Sequence, residues 1–247
     1  MKDLHVPYYL RLRDALANQI ENGLLGPHTK LPSERELKET YDINRVTVRQ
    51  ALMQLESEGL VYRLIRRGWY VSPARLFYDP TQSISFMDNV RSQGRVPGTE
   101  ILSQSEISAS PWATQHLGVD SGAPLFLLRR RRSIDGRAVL IEHININAKL
   151  CPGLLDLPLE CSLTDIFHEN YGIQISRTKI NMYPAPLNET QAEALQVVAG
   201  TPGLFLSRAS YDQQGNIVEF DQEFWRHDAL EISIDVEAKE AVGNPPA

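Results

Sequence analysis

The stretch LPSERELKETYDINRVTVRQALMQLESEGLVYRLIRRGWYVS, residues 31–72, constrains the fold more than any other part of this 247-residue chain. Ser33 stands three residues before Glu36, the spacing of a capping box that opens a helix, and Leu37 and Tyr41 give that helix an apolar side. Asp42-Ile43-Asn44 makes a tight turn. RVTVRQALMQLESEG then predicts a further helix, with Val48, Leu52 and Leu55 as its buried stripe and Gly59 as its stop. Arg45, Thr47 and Arg49 lie off the stripe and form a polar, basic face. Ahead of these, Tyr9, Leu12, Leu16 and Ile20 recur at helical spacing, and Gly23 with Gly26-Pro27 ends that run. Behind them, LVYRLI and GWYVS read as two short strands with Arg66, Arg67 and Gly68 between. Arginine suits guanine edges and phosphates, and a glycine at a hairpin tip lets backbone approach a partner closely. Helix, capped helix, turn, basic helix and basic hairpin make a winged helix-turn-helix, and this order predicts binding to double-stranded DNA.

Charge is divided to match. Residues 1–75 hold 12 Lys and Arg against 9 Asp and Glu, whereas residues 76–247 hold 13 against 22, so a net +3 head precedes a net −9 body within an overall −6. Such a division fits a head that meets phosphate and a body that does not. No apolar run approaches a membrane span, and MKDLHVPYYLRLRDAL lacks the apolar core and cleavage site of a signal peptide, so no membrane role and a cytoplasmic location are expected. Cys151 and Cys161 fit no zinc or redox spacing, and the six histidines are scattered; no metal, cofactor or catalytic residue is expected.

Residues 73–84, PARLFYDPTQSI, break the pattern and read as a linker in which Phe77 and Tyr78 pack against something. Residues 85–235 form the second domain and contain an internal repeat. LFLLRRRRSIDGRAVLIE from Leu125 matches LFLSRASYDQQGNIVEFD from Leu204 at an offset of 79, aligning Arg129 with Arg208, Gly136 with Gly215 and Glu142 with Asp221. Each copy reads strand, turn, strand. A helix precedes each, opened by Ser110-Pro111 and closed by Gly118 in one case, opened by Asn188 and closed by Gly200 in the other. The fold class is therefore α+β, with a mostly antiparallel sheet in two related halves and a ligand pocket expected between them.

In Arg129-Arg130-Arg131-Arg132, strand alternation puts Arg130 and Arg132 on the face of Phe126 and Leu128. Two arginines at the end of an apolar face suit bidentate capture of an anion, although pairing with acidic neighbours is the plainer alternative. Ser162-Leu-Thr164-Asp165 opens a helix ending at Gly172, whose free amides would add to an anion site if Ser162 does more than cap it. Residues 236–247, ending GNPPA, read as a frayed tail.

The head, residues 1–72, resembles the DNA-binding domain of the GntR family of bacterial regulators across residues 7–72. That resemblance implies DNA contacts by Arg35 of the Pro-Ser-Glu-Arg motif, by Arg45, Thr47 and Arg49, and by the wing glycine Gly68, and the basic hairpin tip adds Arg67 as a candidate. SFMDNVRSQGRVP, RRRRSIDGRAVLIEHIN, SLTDIFHENYGI and FDQEFWRHD resemble the UTRA effector domain of the HutC subfamily, which has a chorismate-lyase-like fold. The resemblance implies a pocket of Phe86, Arg130, Arg132, Glu142, Ser162 and Trp225, to which the helix start adds Thr164 as a candidate, and a homodimer reading a near-palindromic operator. The usual Arg-Gly-Asp after the last strand stands here as Arg226-His227-Asp228. RRGWYVSPARLFYDPTQS is similar to regulators of phosphonate utilisation.

The expected function is thus transcriptional control, as a repressor released by a small anion such as a phosphonate, phosphate ester or carboxylate. The competing reading is an enzyme of chorismate-lyase-like type, with Glu142 as acid or base near arginines.

Overall fold

The computed structural model describes residues 6–64, 66–82 and 84–236. In the head, α1 (Tyr8–Glu21), α2 (Glu34–Tyr41) and α3 (Arg45–Ser57) pack through Leu12, Leu16, Leu37, Val48, Leu52 and Leu55, all no more than 2% exposed. The capping box forms as the spacing predicts: Ser33 Oγ accepts from the Glu36 amide at 3.2 Å, and Glu36 accepts from the Ser33 amide at 2.7 Å. Asp42 leaves α2 in the left-handed region, and Asn44 Oδ1 caps α3 through the Thr47 amide at 2.8 Å. Strands β1 (Val61–Leu64) and β2 (Gly68–Val71) pair antiparallel as the wing. Gly68 turns the wing at φ 107°, a conformation that strongly favours glycine.

The expected linker holds regular structure. Strand β3 (Leu76–Tyr78) pairs in parallel with β10 (Leu230–Ile232), so the segment after the head is sewn to the end of the fold. Helix α4 (Phe86–Ser92) follows, capped by Ser85.

The body is built on a six-stranded antiparallel sheet in the order β4-β5-β6-β9-β8-β7. Its strands are β4 (Pro97–Ser108), β5 (Pro124–Ile134), β6 (Arg137–Asn147), β7 (Arg177–Pro186), β8 (Pro202–Tyr211) and β9 (Ile217–Arg226). The order mirrors about the β6–β9 seam, and each half runs strand, helix, hairpin, with α5 (Pro111–Leu117) in one and α7 (Glu189–Ala194) in the other. The internal repeat is this mirror. Among its expected details, Ser110 and Gly118 cap α5 and Asn188 caps α7. Gly200 does not close α7, because the helix stops at Ala194, with Leu195 as its cap and Gln196 already at positive φ.

The aligned arginines of the repeat also part ways. Arg129 is exposed opposite His143, whereas Arg208 lies opposite Asp221 and reaches the cavity between the halves. The first hairpin pairs Arg130 with Glu142 and the second pairs Arg208 with Asp221, so the two registers differ by one residue. A slip of one residue in a strand exchanges its two faces.

Candidate functional site

Two charged surfaces and the junction between them emerge from this fold. On the head, Arg35, Arg45, Arg49 and Arg67 are exposed. Glu34 at the start of α2 ties two of them across the helix-turn-helix, with Arg45 Nε and Arg49 Nη2 each 3.0 Å from its Oε2. The hydrogen bond from Arg49 outweighs desolvation and holds Glu34 below the ordinary carboxylate range. Thr47 is partly occupied by the cap, its Oγ1 lying 3.1 Å from Asn44 Oδ1. Val46, 78% exposed at the front of α3, escaped the sequence reading; its apolar tip suits a thymine methyl group.

In the body, β5, β6, β8 and β9 share one face beneath α4 and α6 (Leu163–Tyr171) and enclose a cavity of about 550 Å³. That is ample for a small metabolite. Phe86, Arg130, Arg132, Glu142, Ser162, Thr164 and Trp225 all line it. The sheet brings together residues that the sequence scatters over 140 positions. Leu128, Arg130, Arg132 and Ile134 alternate inward along β5, as period two requires.

The arginine pair is held rigidly. Arg130 Nε and Arg132 Nε donate to the same Glu142 oxygen at 2.8 and 2.9 Å. Arg130 Nη1 reaches the carbonyls of Leu159 and Cys161, and Arg132 Nη1 reaches Thr99 Oγ1. The acidic partner foreseen as the alternative to an anion clamp is therefore present. One carboxylate against two guanidinium groups still leaves a positive charge, and the Nη2 groups make no protein hydrogen bond among the described residues. Burial pushes the Glu142 carboxyl up, but the two arginines outweigh it and hold the group ionised, below its ordinary range. Arg132 lies 5.1 Å over the Phe86 ring, and Phe86 meets Trp225 at 6.1 Å, so aromatic surface walls this end. Ser162 is buried, and its Oγ accepts from the Asp165 amide at 3.3 Å, which is a capping role.

A second set of charges lies across the sheet and was not assigned from the sequence. Arg208, Glu219, Asp221 and Glu223 line the same cavity. Arg208 pairs with Glu223, whose other oxygen accepts from Trp225 Nε1 at 2.6 Å. Ser210 Oγ donates to Glu219 at 3.0 Å. The repeat carried the one signal for these acids, through the alignment of Asp221 with Glu142. Among the described residues, Glu142, Asp221 and Glu223 are the carboxylates whose oxygens come within 4.8 Å of one another.

The head docks on the body through few side chains. Tyr62 of β1 lies beneath Arg137 at 4.2 Å and Arg226 at 5.5 Å. Both guanidinium groups are tied to Asp228, Arg226 Nε at 3.0 Å. Burial opposes ionisation of Asp228, but the arginines prevail and lower its pKa to about 2. His227 Nε2 lies 2.8 Å from the Glu56 carbonyl at the end of α3, and its Nδ1 lies 3.1 Å from the Pro202 carbonyl. The histidine that departs from the usual Arg-Gly-Asp thus bridges head and body.

The family model for bacterial regulatory proteins of the gntR family matches residues 8–71, and the UTRA domain model matches residues 92–231. The chain is 32% identical over 227 residues to the HTH-type transcriptional repressor NagR of Bacillus subtilis, covering 92% of this chain and 93% of that one. It is 31% identical to the HTH-type transcriptional regulator YihL of Escherichia coli K12, covering 91% and 95%. The crystal structure of PhnF from Mycobacterium smegmatis superposes with a TM-score of 0.66 at 29% identity, covering 92% of this chain and all of that one. These relatives are regulators, and the lyase-like reading gives way to them. With a winged helix-turn-helix head and a UTRA body, the chain belongs to the GntR family of bacterial regulatory proteins, in its UTRA-bearing HutC branch, and is a transcriptional regulator rather than an enzyme.

Proposed function

We propose that this regulator is a cytoplasmic repressor whose UTRA cavity takes a small anionic effector, and that the bound effector lowers affinity for the operator. The observation that carries this reading is the pair Arg130 and Arg132 on one shared carboxylate. They are preorganised, carry a surplus positive charge and stand beside the start of α6 at Ser162 and Thr164. An anion there gains charge-assisted hydrogen bonds without reordering the arginines. A phosphonate, a phosphate ester or a carboxylate satisfies the chemistry. Phe86, Glu142 and Trp225 complete the proposed contact set.

On the head, Arg35, Arg45, Thr47, Arg49, Arg67 and Gly68 are assigned to DNA; the four arginines are exposed to meet phosphates and base edges, and Thr47 and Gly68 are partly exposed beside them. A homodimer would present two heads to the half-sites of a near-palindrome. The functional units in this reading are 1–72, the linker 73–84, the sensor 85–235 and the tail 236–247; from residue 237 the tail lies outside the described residues. No helix of the described residues is long and apolar enough to cross a membrane, which accords with this location.

An effector acts only by binding one placement of the heads better than another. Tyr62, clasped by Arg137 and Arg226, and His227 on Glu56 are the contacts through which such a preference reaches the head. The test is thermal unfolding against a panel of phosphonates, phosphate esters and carboxylates, followed by operator binding with and without any compound that stabilises. A ligand at about a hundred times its Kd adds roughly 2.7 kcal/mol to stability. Equal operator affinity with and without a saturating, stabilising anion would refute the regulatory half of the reading.

A further inference from the structure

The cavity carries more negative charge than an anion site needs. Among the described residues, the charged groups of its interior are the buried Arg130 and Arg132 and the partly exposed Arg208 against the buried Glu142, Glu219, Asp221 and Glu223. The exposed charges at its mouth, Asp88, Asp165 and Arg177, do not make up the difference. The positive surplus gathers on Arg130 and Arg132 of β5. The negative surplus gathers on β9, where Glu219, Asp221 and Glu223 share Arg208. Asp221 is 5% exposed, lines the cavity, and its Oδ1 has no hydrogen-bond partner among the described residues. A buried carboxylate oxygen without a partner is costly and marks a position that a ligand donor would satisfy.

We infer that the effector is a small zwitterion, a short amine bearing a phosphonate, phosphate or carboxylate, with its ammonium group on Asp221 and Glu219 and its anionic group on Arg130 and Arg132. This rests on the reading of the cavity as the effector site and names the ligand class. An ammonium group offers three charge-assisted donors and cancels the surplus carboxylate charge. A neutral hydroxyl would fill the lone pair but leave the charge.

A divalent cation fits less well, although Glu142, Asp221 and Glu223 lie close together. One Glu142 oxygen already accepts from both arginines, and the two Glu223 oxygens are engaged by Arg208 and Trp225. A metal demands several free oxygen donors at once, whereas an ammonium needs Asp221 and one oxygen of Glu219. Glu142, which holds both Arg130 and Arg132, and Asp221 offer oxygens within 4.8 Å of each other, so the two charges of the ligand are a few bonds apart. Without a ligand, burial, then Glu223 and Glu142, hold Asp221 well above the ordinary carboxylate range against Arg208, and burial raises Glu219 likewise, so these acids favour a proton, whose place an ammonium group beside them takes.

Calorimetric titration of the full chain near pH 7.5 with matched probes tests this. 2-Aminoethylphosphonate is expected to bind at least about tenfold tighter than ethylphosphonate and 2-hydroxyethylphosphonate, a charge-assisted hydrogen bond being worth about that factor. Asp221→Asn, and independently Glu219→Gln, should shrink the ratio toward one. Equal binding of the amine, the hydroxyl and the unsubstituted phosphonate overturns the zwitterion while leaving the anion site standing. Binding that requires added magnesium or calcium overturns it in favour of a metal. If neither these phosphonates, phosphoethanolamine, β-alanine nor inorganic phosphate binds, the effector-site reading falls together with the inference.

Discussion

On the head, Arg35, Arg45, Arg49 and Arg67 stand in solvent, and Glu34 alone restrains two of them. In the body, Arg130 and Arg132 are each 3% exposed and locked on one carboxylate. The residue type is shared and the physical situation is opposite. An exposed guanidinium keeps its hydration and rotamer freedom until a partner arrives, so it contributes little to the fold. A buried one has lost its water already, so its partners are structural whether or not a ligand comes. The comparison teaches that the head is built to adapt to a long, charged surface, and the cavity to hold one small molecule in one pose.

Breaking the comparison at its strong end should have the largest effect. Arg130→Ala or Arg132→Ala removes half the clamp on a fully buried Glu142 and should cost about 3–5 kcal/mol in urea unfolding. A loss below about 1 kcal/mol would mean that water or a rearranged partner compensates. The junction comes next. With its folded pKa depressed from 3.8 to about 2, Asp228 contributes stability that is fully present above the ordinary value and lost as pH falls through about 2. That amounts to about 2 kcal/mol. It should appear as an acid limb between pH about 4 and about 2 that Asp228→Asn abolishes.

Asp221 works in the other sense. Its pKa is raised, so it favours folding below the ordinary carboxylate range and opposes it as pH rises toward neutrality. Asp221→Asn should therefore stabilise the ligand-free protein near pH 7, by about 1 kcal/mol, a gain of the kind found when functional strain is removed. The smallest effect on stability belongs to the head: Arg35→Ala and Arg49→Ala should leave the urea midpoint nearly unchanged, as surface substitutions do. Each should nevertheless weaken operator binding, and if the contact is to a phosphate, lower the salt slope by about one. A large stability change from Arg49→Ala would show that its pairing with Glu34 is structural, and would erase the contrast.

The head was legible because its signals are local. Ser33 with Glu36, the stripe of Val48, Leu52 and Leu55, and the glycine between two short strands each act within a few residues. In the body, the hairpins were legible from their repeat, but the edge strands β4 and β7 were not assigned. TEILSQSEIS and RTKINMYP show largely exposed faces, so they lack the apolar alternation that marks a half-buried strand. β3 was hidden because its partner β10 lies more than 150 residues away. Arg130 and Arg132 could be read from alternation within one strand. Arg208 could not, because its place in the cavity depends on a register that slips by one residue between the halves; Glu219 and Glu223 had only their alternation about Asp221, which the repeat aligns with Glu142.

The junction bears on how such regulators can be rebuilt. Head and body meet through Tyr62 under Arg137 and Arg226, His227 on Glu56, and Arg75, whose Nη2 reaches the Glu58 carbonyl 3.3 Å away beside Gly59. A side chain at Gly59 would be strained by its φ of 78°, and its Cβ, 2.6 Å from Nη2, would push the end of the Arg75 side chain aside. The head is therefore an exchangeable cassette with a short compatibility code. A transplanted head should stay under the command of this sensor when it brings an aromatic ring in place of Tyr62 and a glycine in place of Gly59, whatever DNA sequence it reads.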